Sequence, residues 1–354
     1  MTAQEALMNK FCSAAVLFLL SVLLFSLYPY NACAVRAASA DGKTVIVLDP
    51  GHGGPLQTSD NQGAQYAPYS EKVLTLQLAQ LVQKELSSYD NVEVFLTRTA
   101  DNSMSLADRA AFAKSVGADF LISLHYNASG SHLFYGTEVE TSSAGTFYSQ
   151  GTSFGKTLLS QTAQLGLYSK GTKTRIGQHG DYYGIIRNAV SLGIPAVIIE
   201  HCYLDSLPDR TLLAGKGVSA LAHADATAIA AYFHLKSAAT GADFSSYARF
   251  PVAVPLAPVR DDTTPPDVCQ LVMISRDAAG NATFRLTAED TDTIYPVIYY
   301  SYSVNGTPSA LLPYNQAAGP VTFTVKAPAG SSVYAIAYNS YDKYSTRSNT
   351  VTVK

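Results

Sequence analysis

Three side chains with metal-binding or proton-transfer chemistry sit at the ends of three apolar runs. His52 follows T-V-I-V-L (44–48) by way of D-P-G, His125 closes D-F-L-I-S-L-H (119–125), and Glu200 ends P-A-V-I-I-E (195–200). Buried strands seldom end in charged or imidazole groups three times by chance. Two imidazoles and a carboxylate with an open fourth position form a donor set for catalytic zinc. Such an ion polarises a carbonyl and lowers the pKa of bound water to about 7. A further carboxylate must then take the water's proton and pass it to a leaving amine. Glu71 and Glu200 are the candidates, and the residues alone do not divide the two roles between them. No local H-E-x-x-H arrangement, nucleophile elbow or phosphate-cradling loop is expected. Residue chemistry therefore reaches a metal-dependent hydrolase and stops there.

These groups need rigid elements to hold them. The β-branched and aliphatic run at 44–48 reads as a strand buried on both faces, stopped by Asp49, Pro50 and Gly51. V-E-V-F-L-T at 92–97, 119–125 and 195–201 read as further strands, and 137–140 as one at the edge or in mixed orientation. Val73, Leu74, Leu76, Leu78, Leu81, Val82 and Leu86 recur at helical spacing. Ser70 is their candidate N-cap, which puts Glu71 in the first turn, where a carboxylate favours the helix dipole. Helices are also expected at 106–116, 146–165 and 212–233, with 171–184 irregular. Alternating strands and helices imply an α/β fold, a mostly parallel open sheet flanked by helices. Ligands of such sheets bind at the carboxyl ends of the strands. His52, His125 and Glu200 should therefore share one rim, with His201 turned away from Glu200 by strand alternation.

The 354 residues suffice for two domains. Only 14% are charged, against about 25% in soluble proteins generally. A net charge of −3 argues against a polyanion-binding surface, so no nucleic-acid partner is expected. Lys10, the apolar run 11–28, and the A-x-A patterns Ala32-Cys33-Ala34 and Ala38-Ser39-Ala40 read as a signal peptide over 1–40. An uncleaved N-terminal anchor is the alternative, since about 18 apolar residues can just span a bilayer. Tyr30 disfavours lipoprotein processing at Cys33. Either way the folded part is expected to be extracellular or in the cell wall. Cys202 and Cys269, the two cysteines beyond the leader, lie too far apart to suggest a disulfide framework.

The motifs D-P-G-H-G-G (49–54), S-E-K (70–72), T-R-T (97–99), L-A-D-R (106–109), S-L-H-Y-N-A (123–128) and P-A-V-I-I-E (195–200) occur in that order. Together they resemble the zinc-dependent N-acetylmuramoyl-L-alanine amidases of the amidase-3 family, over roughly 44–233. The resemblance implies that His52, Glu71 and His125 hold one Zn2+ per chain and that Glu200 is the general base and acid. It also implies a peptidoglycan substrate, cut at the amide between N-acetylmuramic acid and the L-alanine of the stem peptide. Asn127 and Arg187 are candidate substrate contacts. Arg98 and Arg109 are expected to be structural ion-pair residues. His201, Cys202 and Tyr203 depart from the small or hydrophobic segment that commonly follows the family's catalytic glutamate, and Cys202 is read as a packed thiol.

Residues 238–266 are rich in Ala, Ser, Pro, Asp and Thr and read as a linker between a catalytic domain at 41–237 and an accessory domain at 267–354. Short apolar runs separated by Gly, Asn and Pro then suggest a small all-β sandwich, similar to fibronectin-type-III or bacterial Ig-like domains. It is expected to be a spacer or a module contacting cell-wall glycan or a surface protein. The rivals to the amidase reading are a zinc peptidase of surface peptides and a wall-binding protein with a relic catalytic domain.

Overall fold

A computed structural model describes residues 42–55 and 62–354. The leader expected at 1–40 lies outside them. Six strands build the first sheet: β1 (Thr44–Pro50), β2 (Val92–Leu96), β3 (Phe120–Asn127), β4 (Thr137–Thr141), β5 (Ser169–Thr174) and β6 (Ala196–Tyr203). Their order is β2-β1-β3-β6-β4-β5. β2, β1, β3 and β6 are mutually parallel, β4 is antiparallel to β6, and β5 is parallel to β4. The sheet is thus mixed and mostly parallel. β4 lies inside it, and β5 occupies the edge where an irregular segment was expected.

Alternation along each strand divides two apolar layers. Ile46 and Leu48 of β1, Phe120, Ile122 and Leu124 of β3, and Val197 and Ile199 of β6 face one side. They pack under α1 (Glu71–Leu86), α3 (Gly145–Gln164) and α5 (Leu207–Tyr232). Val45, Val47, Leu121, Ala196 and Ile198 face the other side, under α2 (Leu106–Ser115) and α4 (Gly184–Ser191). Ser70 precedes α1 but its side chain makes no capping bond, whereas Ser105 caps α2 by accepting from the Asp108 N–H. α5 begins earlier than the periodicity implied and bends at Gly217, whose φ of 77° breaks the helix.

The C-terminal part holds β7 (Val268–Arg276), β8 (Asn281–Glu289), β9 (Val297–Val304), β10 (Val321–Lys326) and β11 (Ser332–Asn339). One antiparallel sheet runs β7-β8-β10, and β9 pairs β11 in a second. Leu271, Phe284, Leu286, Val297, Tyr300 and Val333 fill the layer between them. This is the sandwich that the spacing of short strands implied.

The described residues belong to one compact unit. Residues 238–266 do not hang free. Arg249 Nε donates to the Tyr232 carbonyl at 2.6 Å, Ser153 Oγ to Phe250 O at 2.7 Å, and the Val259 N–H to Ser143 O at 2.7 Å. They strap the sandwich to the α/β part. Behind the strap, Phe134 and Tyr203 pack against Ile298, Tyr299, Leu311 and Tyr338. Tyr168 donates to the carbonyls of Ile298 at 2.6 Å and Tyr314 at 3.1 Å, and the Tyr299 hydroxyl donates to Tyr135 O. Tyr299 is fully buried. Tyr299→Ala should cost about 3 kcal/mol or more, as for other large aromatic truncations in cores. Denaturant unfolding checks this, and the two parts should lose stability together.

Candidate metal centre and its rim

Glu71 is the first residue of α1 and is buried, while His52 follows β1 and His125 lies near the end of β3. Their side chains meet. Nε2 of His52 lies 3.2 Å and Nδ1 of His125 3.0 Å from Oε1 of Glu71, and all three potential ligand atoms fall within 4.8 Å of one another. The imidazoles meet edge to face, with centroids 4.9 Å apart. Backbone donors fix the carboxylate, the Tyr126 N–H on Oε1 at 3.0 Å and the Ala64 N–H on Oε2 at 2.6 Å. Burial alone would raise the Glu71 pKa, but hydrogen bonds to His125 and His52 outweigh it and hold the carboxyl well below its usual range. Two nitrogens and one anionic oxygen, each oriented by neighbours, suit zinc.

The loop carrying His52 is shaped by charges that the sequence reading assigned only to stopping a strand. β1 in fact continues through Asp49, which is buried. Asp49 Oδ1 accepts from Arg109 Nη1 at 2.7 Å and from the Thr97 hydroxyl at 2.5 Å, and Oδ2 accepts from the Ser123 hydroxyl at 2.7 Å. Burial opposes ionisation, yet Arg109 and these hydroxyls keep the Asp49 carboxyl below its ordinary value. Arg109 also donates to the carbonyls of Pro50 and His52, both at 2.8 Å. Arg98 holds Pro50 O and Gly51 O at 2.9 Å and Lys72 O at 2.8 Å. Both arginines are structural, as expected, though Arg98 works through carbonyls rather than an ion pair. The clamp holds His52 at φ 61°, a backbone region uncommon for residues with a Cβ.

Two glycines leave room for the ligand side chains. A Cβ on Gly51 would lie 2.3 Å from Cε1 of His125, and one on Gly63 would lie 2.2 Å from Oε2 of Glu71. Gly63 also has φ +64°, which disfavours any other residue.

Glu200 is paired in register with His125 on β3 and with Glu138 on β4. Alternation puts it on the α2/α4 face with Ile198, the face His125 shares with Leu121. Its Oε2 is buried without a hydrogen-bond partner among the described residues. Desolvation, with the negative charges of Glu71, Glu138 and Glu140, pushes its carboxyl well above the usual range. His201 points the other way, its Nε2 3.0 Å from Asp225 Oδ2 and its Nδ1 3.1 Å from His125 O. Cys202 is a core thiol, raised by burial.

Of the two candidate substrate contacts, Asn127 sits on the rim but is already engaged. Its Nδ2 donates to Glu138 Oε1 at 3.0 Å, and its Oδ1 accepts from the Ala128 N–H at 2.8 Å. Arg187 Nη1 donates to Asp181 O at 2.6 Å and Tyr182 O at 3.1 Å, bracing the loop before α4. These bonds go to its own loop rather than to His52, Glu71 or His125. Sequence reasoning missed Glu138, Glu140, Lys170 and Lys173, all buried on β4 and β5. The paired glutamates of T-E-V-E-T were the available signal, because residues two apart share a strand face. A G-T-S-F-G string at 151–155 has the spelling of a nucleophile elbow. It lies inside α3, with Ser153 Oγ bonded to Phe250 O, so no elbow forms.

An open α/β sheet with two imidazoles and a carboxylate gathered at its rim, and a high-pKa carboxylate alongside, is the layout of a metal-dependent hydrolase. The chain belongs to the N-acetylmuramoyl-L-alanine amidase family of the amidase-3 type, whose model matches residues 46–231. The sporulation-specific N-acetylmuramoyl-L-alanine amidase of Bacillus subtilis (strain 168) is 30% identical over 194 residues, 54% of this chain and 69% of that protein. The endolysin of Bacillus phage SPP1 is 28% identical over 200 residues, 56% of this chain and 69% of its own length. The solved catalytic domain of CwlV from Bacillus(Paenibacillus) polymyxa var. colistinus is similar at 29% identity, covering 54% of this chain and 98% of that one with a TM-score of 0.45. The family match ends before the β-sandwich.

Gly51→Ala and Gly63→Ala should each abolish stoichiometric metal binding while leaving a folded protein. Metal content after dialysis, read beside circular dichroism, checks both.

Proposed function

We propose that this peptidoglycan amidase holds one Zn2+ ion through His52, Glu71 and His125 and uses Glu200 to move protons at the amide between N-acetylmuramic acid and L-alanine. The convergence of those three donors, with Glu200 in register beside His125, carries the reading. A bound zinc ion would supply Lewis acidity toward the scissile carbonyl and an acidified water. Glu200 accepts a proton from the attacking water and delivers it to the leaving nitrogen. The carbon–nitrogen bond breaks, leaving a carboxylate on the lactyl group of the sugar and a free amine on L-alanine. Burial among other carboxylates favours a Glu200 that keeps the proton until the nitrogen takes it, and its unpartnered Oε2 leaves an oxygen for that transfer. No side chain serves as covalent nucleophile.

Asn127 and Arg187 are assigned to the substrate-facing rim. Asn127 stands two residues beyond His125 on the same strand face, and Arg187 keeps the rest of its guanidinium beyond Nη1 for an acceptor on the stem peptide. The reading extends to a chain exported through 1–40, with a catalytic domain at 41–237, the strap at 238–266 and a fibronectin-III/Ig-like sandwich at 267–354 that meets the cell wall or a surface protein.

Glu200→Gln should retain the metal and lose roughly 100-fold or more in turnover, within the range for a general acid–base group. Mass spectrometry of digested walls reads the products. Wild-type turnover in that variant would remove Glu200 from its role. Chelation should abolish activity and zinc should restore it. Release of peptides without separation of muramic acid from L-alanine would instead favour a peptidase.

A further inference from the structure

The two faces of the first sheet are covered differently. On the face carrying His125 and Glu200, α2 and α4 pack over the β1, β3 and β6 side chains. On the β4 and β5 side of that face, the C-terminal sandwich supplies the cover. The Tyr341 hydroxyl donates to Thr174 O at 2.7 Å and accepts from the Thr174 N–H at 2.9 Å, and Lys173 Nζ stands 5.3 Å above the Tyr341 ring.

What the sandwich covers there is charge. Glu138 of β4 is buried and accepts on Oε2 from Lys173 Nζ at 2.5 Å and Lys170 Nζ at 3.0 Å. Lys170 is fully buried and donates to the Tyr203 hydroxyl and to both oxygens of Asp342, at 2.9 and 3.0 Å. Asp342 belongs to the sandwich, in the turn after β11, and is held at φ 63°. Glu140 of the same strand is paired with Arg175 Nε at 3.1 Å. At the near end of this chain, Glu138 Oε1 accepts from Asn127 Nδ2, and Glu138 lies opposite Glu200 in the β4–β6 ladder. A continuous series of charge-assisted hydrogen bonds therefore runs from the sandwich to the rim: Asp342, Lys170, Glu138, Asn127.

We propose that the β-sandwich is part of the catalytic apparatus, with Asp342 a positioning residue that, by pairing Lys170, holds Glu138 where it orients Asn127 and flanks Glu200. The inference rests on the reading of Glu200 as the proton-transfer group. Its physical basis is that a buried ammonium needs balanced partners. Removing one of its two carboxylates leaves Lys170 with Glu138 as its remaining carboxylate and draws Glu138 toward it in competition with Lys173. Glu138 is the one group that also touches the rim side chain Asn127, so a shift there is transmitted to the site. A tyrosine-lined interface would suffice for a mere brace. The ionic chain reaching Asn127 is what a brace does not need.

The full chain, loaded with zinc, tests this through three variants. Asp342→Asn removes the charge and keeps the shape, Asp342→Glu restores the charge, and Tyr168→Phe weakens the interface away from the ions. Misplacement by about 1 Å can cost about 100-fold, so Asp342→Asn should lower kcat roughly 10- to 100-fold, with KM and zinc content unchanged. Asp342→Glu should recover most of that loss. Tyr168→Phe should lower Tm and leave kcat as in the wild type. If Asp342→Asn lowers only Tm, or if Tyr168→Phe lowers kcat as much for the same loss of Tm, the sandwich is a brace and the proposal fails. A wild-type chain that binds zinc yet does not cut the muramic acid–alanine amide would overturn the functional reading first, and this inference with it.

Discussion

One buried ion pair sets the geometry on which the site depends. Asp49 lies near the end of a strand that apolar side chains surround on both faces, and its carboxylate is stable there because Arg109 and two hydroxyls share its charge. Those partners come from α2, from the segment after β2 and from β3. The same contact that neutralises Asp49 therefore ties the ends of three strands and a helix together. Arg109 and Arg98 then spend their remaining donors on the carbonyls of Pro50, Gly51 and His52. A loop that glycine would otherwise leave free is fixed by three backbone acceptors bonded to two rigid guanidinium forks.

Electrostatic asymmetry is the second organising feature. The face under α1, α3 and α5 is almost wholly apolar, with His201 and Asp225 satisfying one another inside it. The opposite face carries Glu138, Glu140, Lys170, Lys173, His125 and Glu200 at its carboxyl side. Such a surface cannot be closed by an aliphatic helix without stranding charge. A sandwich edge with a carboxylate, a tyrosine hydroxyl and a ring face closes the β4 and β5 side of it, giving Lys170 a carboxylate partner, Thr174 a hydroxyl partner and Lys173 a ring to lie over. Glu138 is accordingly held ionised against burial by Lys170 and Lys173, whereas Glu200, without a lysine of its own, is pushed the other way. Two glutamates opposite each other in one ladder are thus set to different protonation behaviour by their neighbours.

Much of this was legible in the sequence. The runs at 44–48, 119–125 and 195–201 are apolar on both faces, so they announce buried parallel strands, and the residues that end them are conspicuous because they break the pattern. Glu71 was visible as a helix start, although chemistry alone did not separate its role from that of Glu200. The less legible features are those that need a partner distant in the chain. β5 was missed because Ser169–Thr174 holds two lysines and a glycine and lacks the apolar alternation of a strand. Its lysines are buried by pairing with Glu138 and Asp342, which no local window contains. The segment 238–266 looked like a linker because its composition is that of one. It is nonetheless hydrogen-bonded to α3 and the loop after β4 through its backbone and to α5 through the Arg249 side chain. Asp49 read as punctuation for the same reason, since Arg109 stands sixty positions away.

The pairing of Lys170 with Asp342 spans 172 positions, and that distance has a meaning in time. A chain made from its N-terminus presents β4 and β5 to solvent well before the turn that covers them exists. The apolar layers of the first sheet draw on contacts available as soon as α5 is made. The charged face must wait, hydrated, for the remainder. Hydration suits it, because lysine and glutamate side chains left in water resist the edge-to-edge pairing that an exposed apolar β5 would invite. The same residues that become a buried network in the finished protein thus act earlier as its protection against self-association.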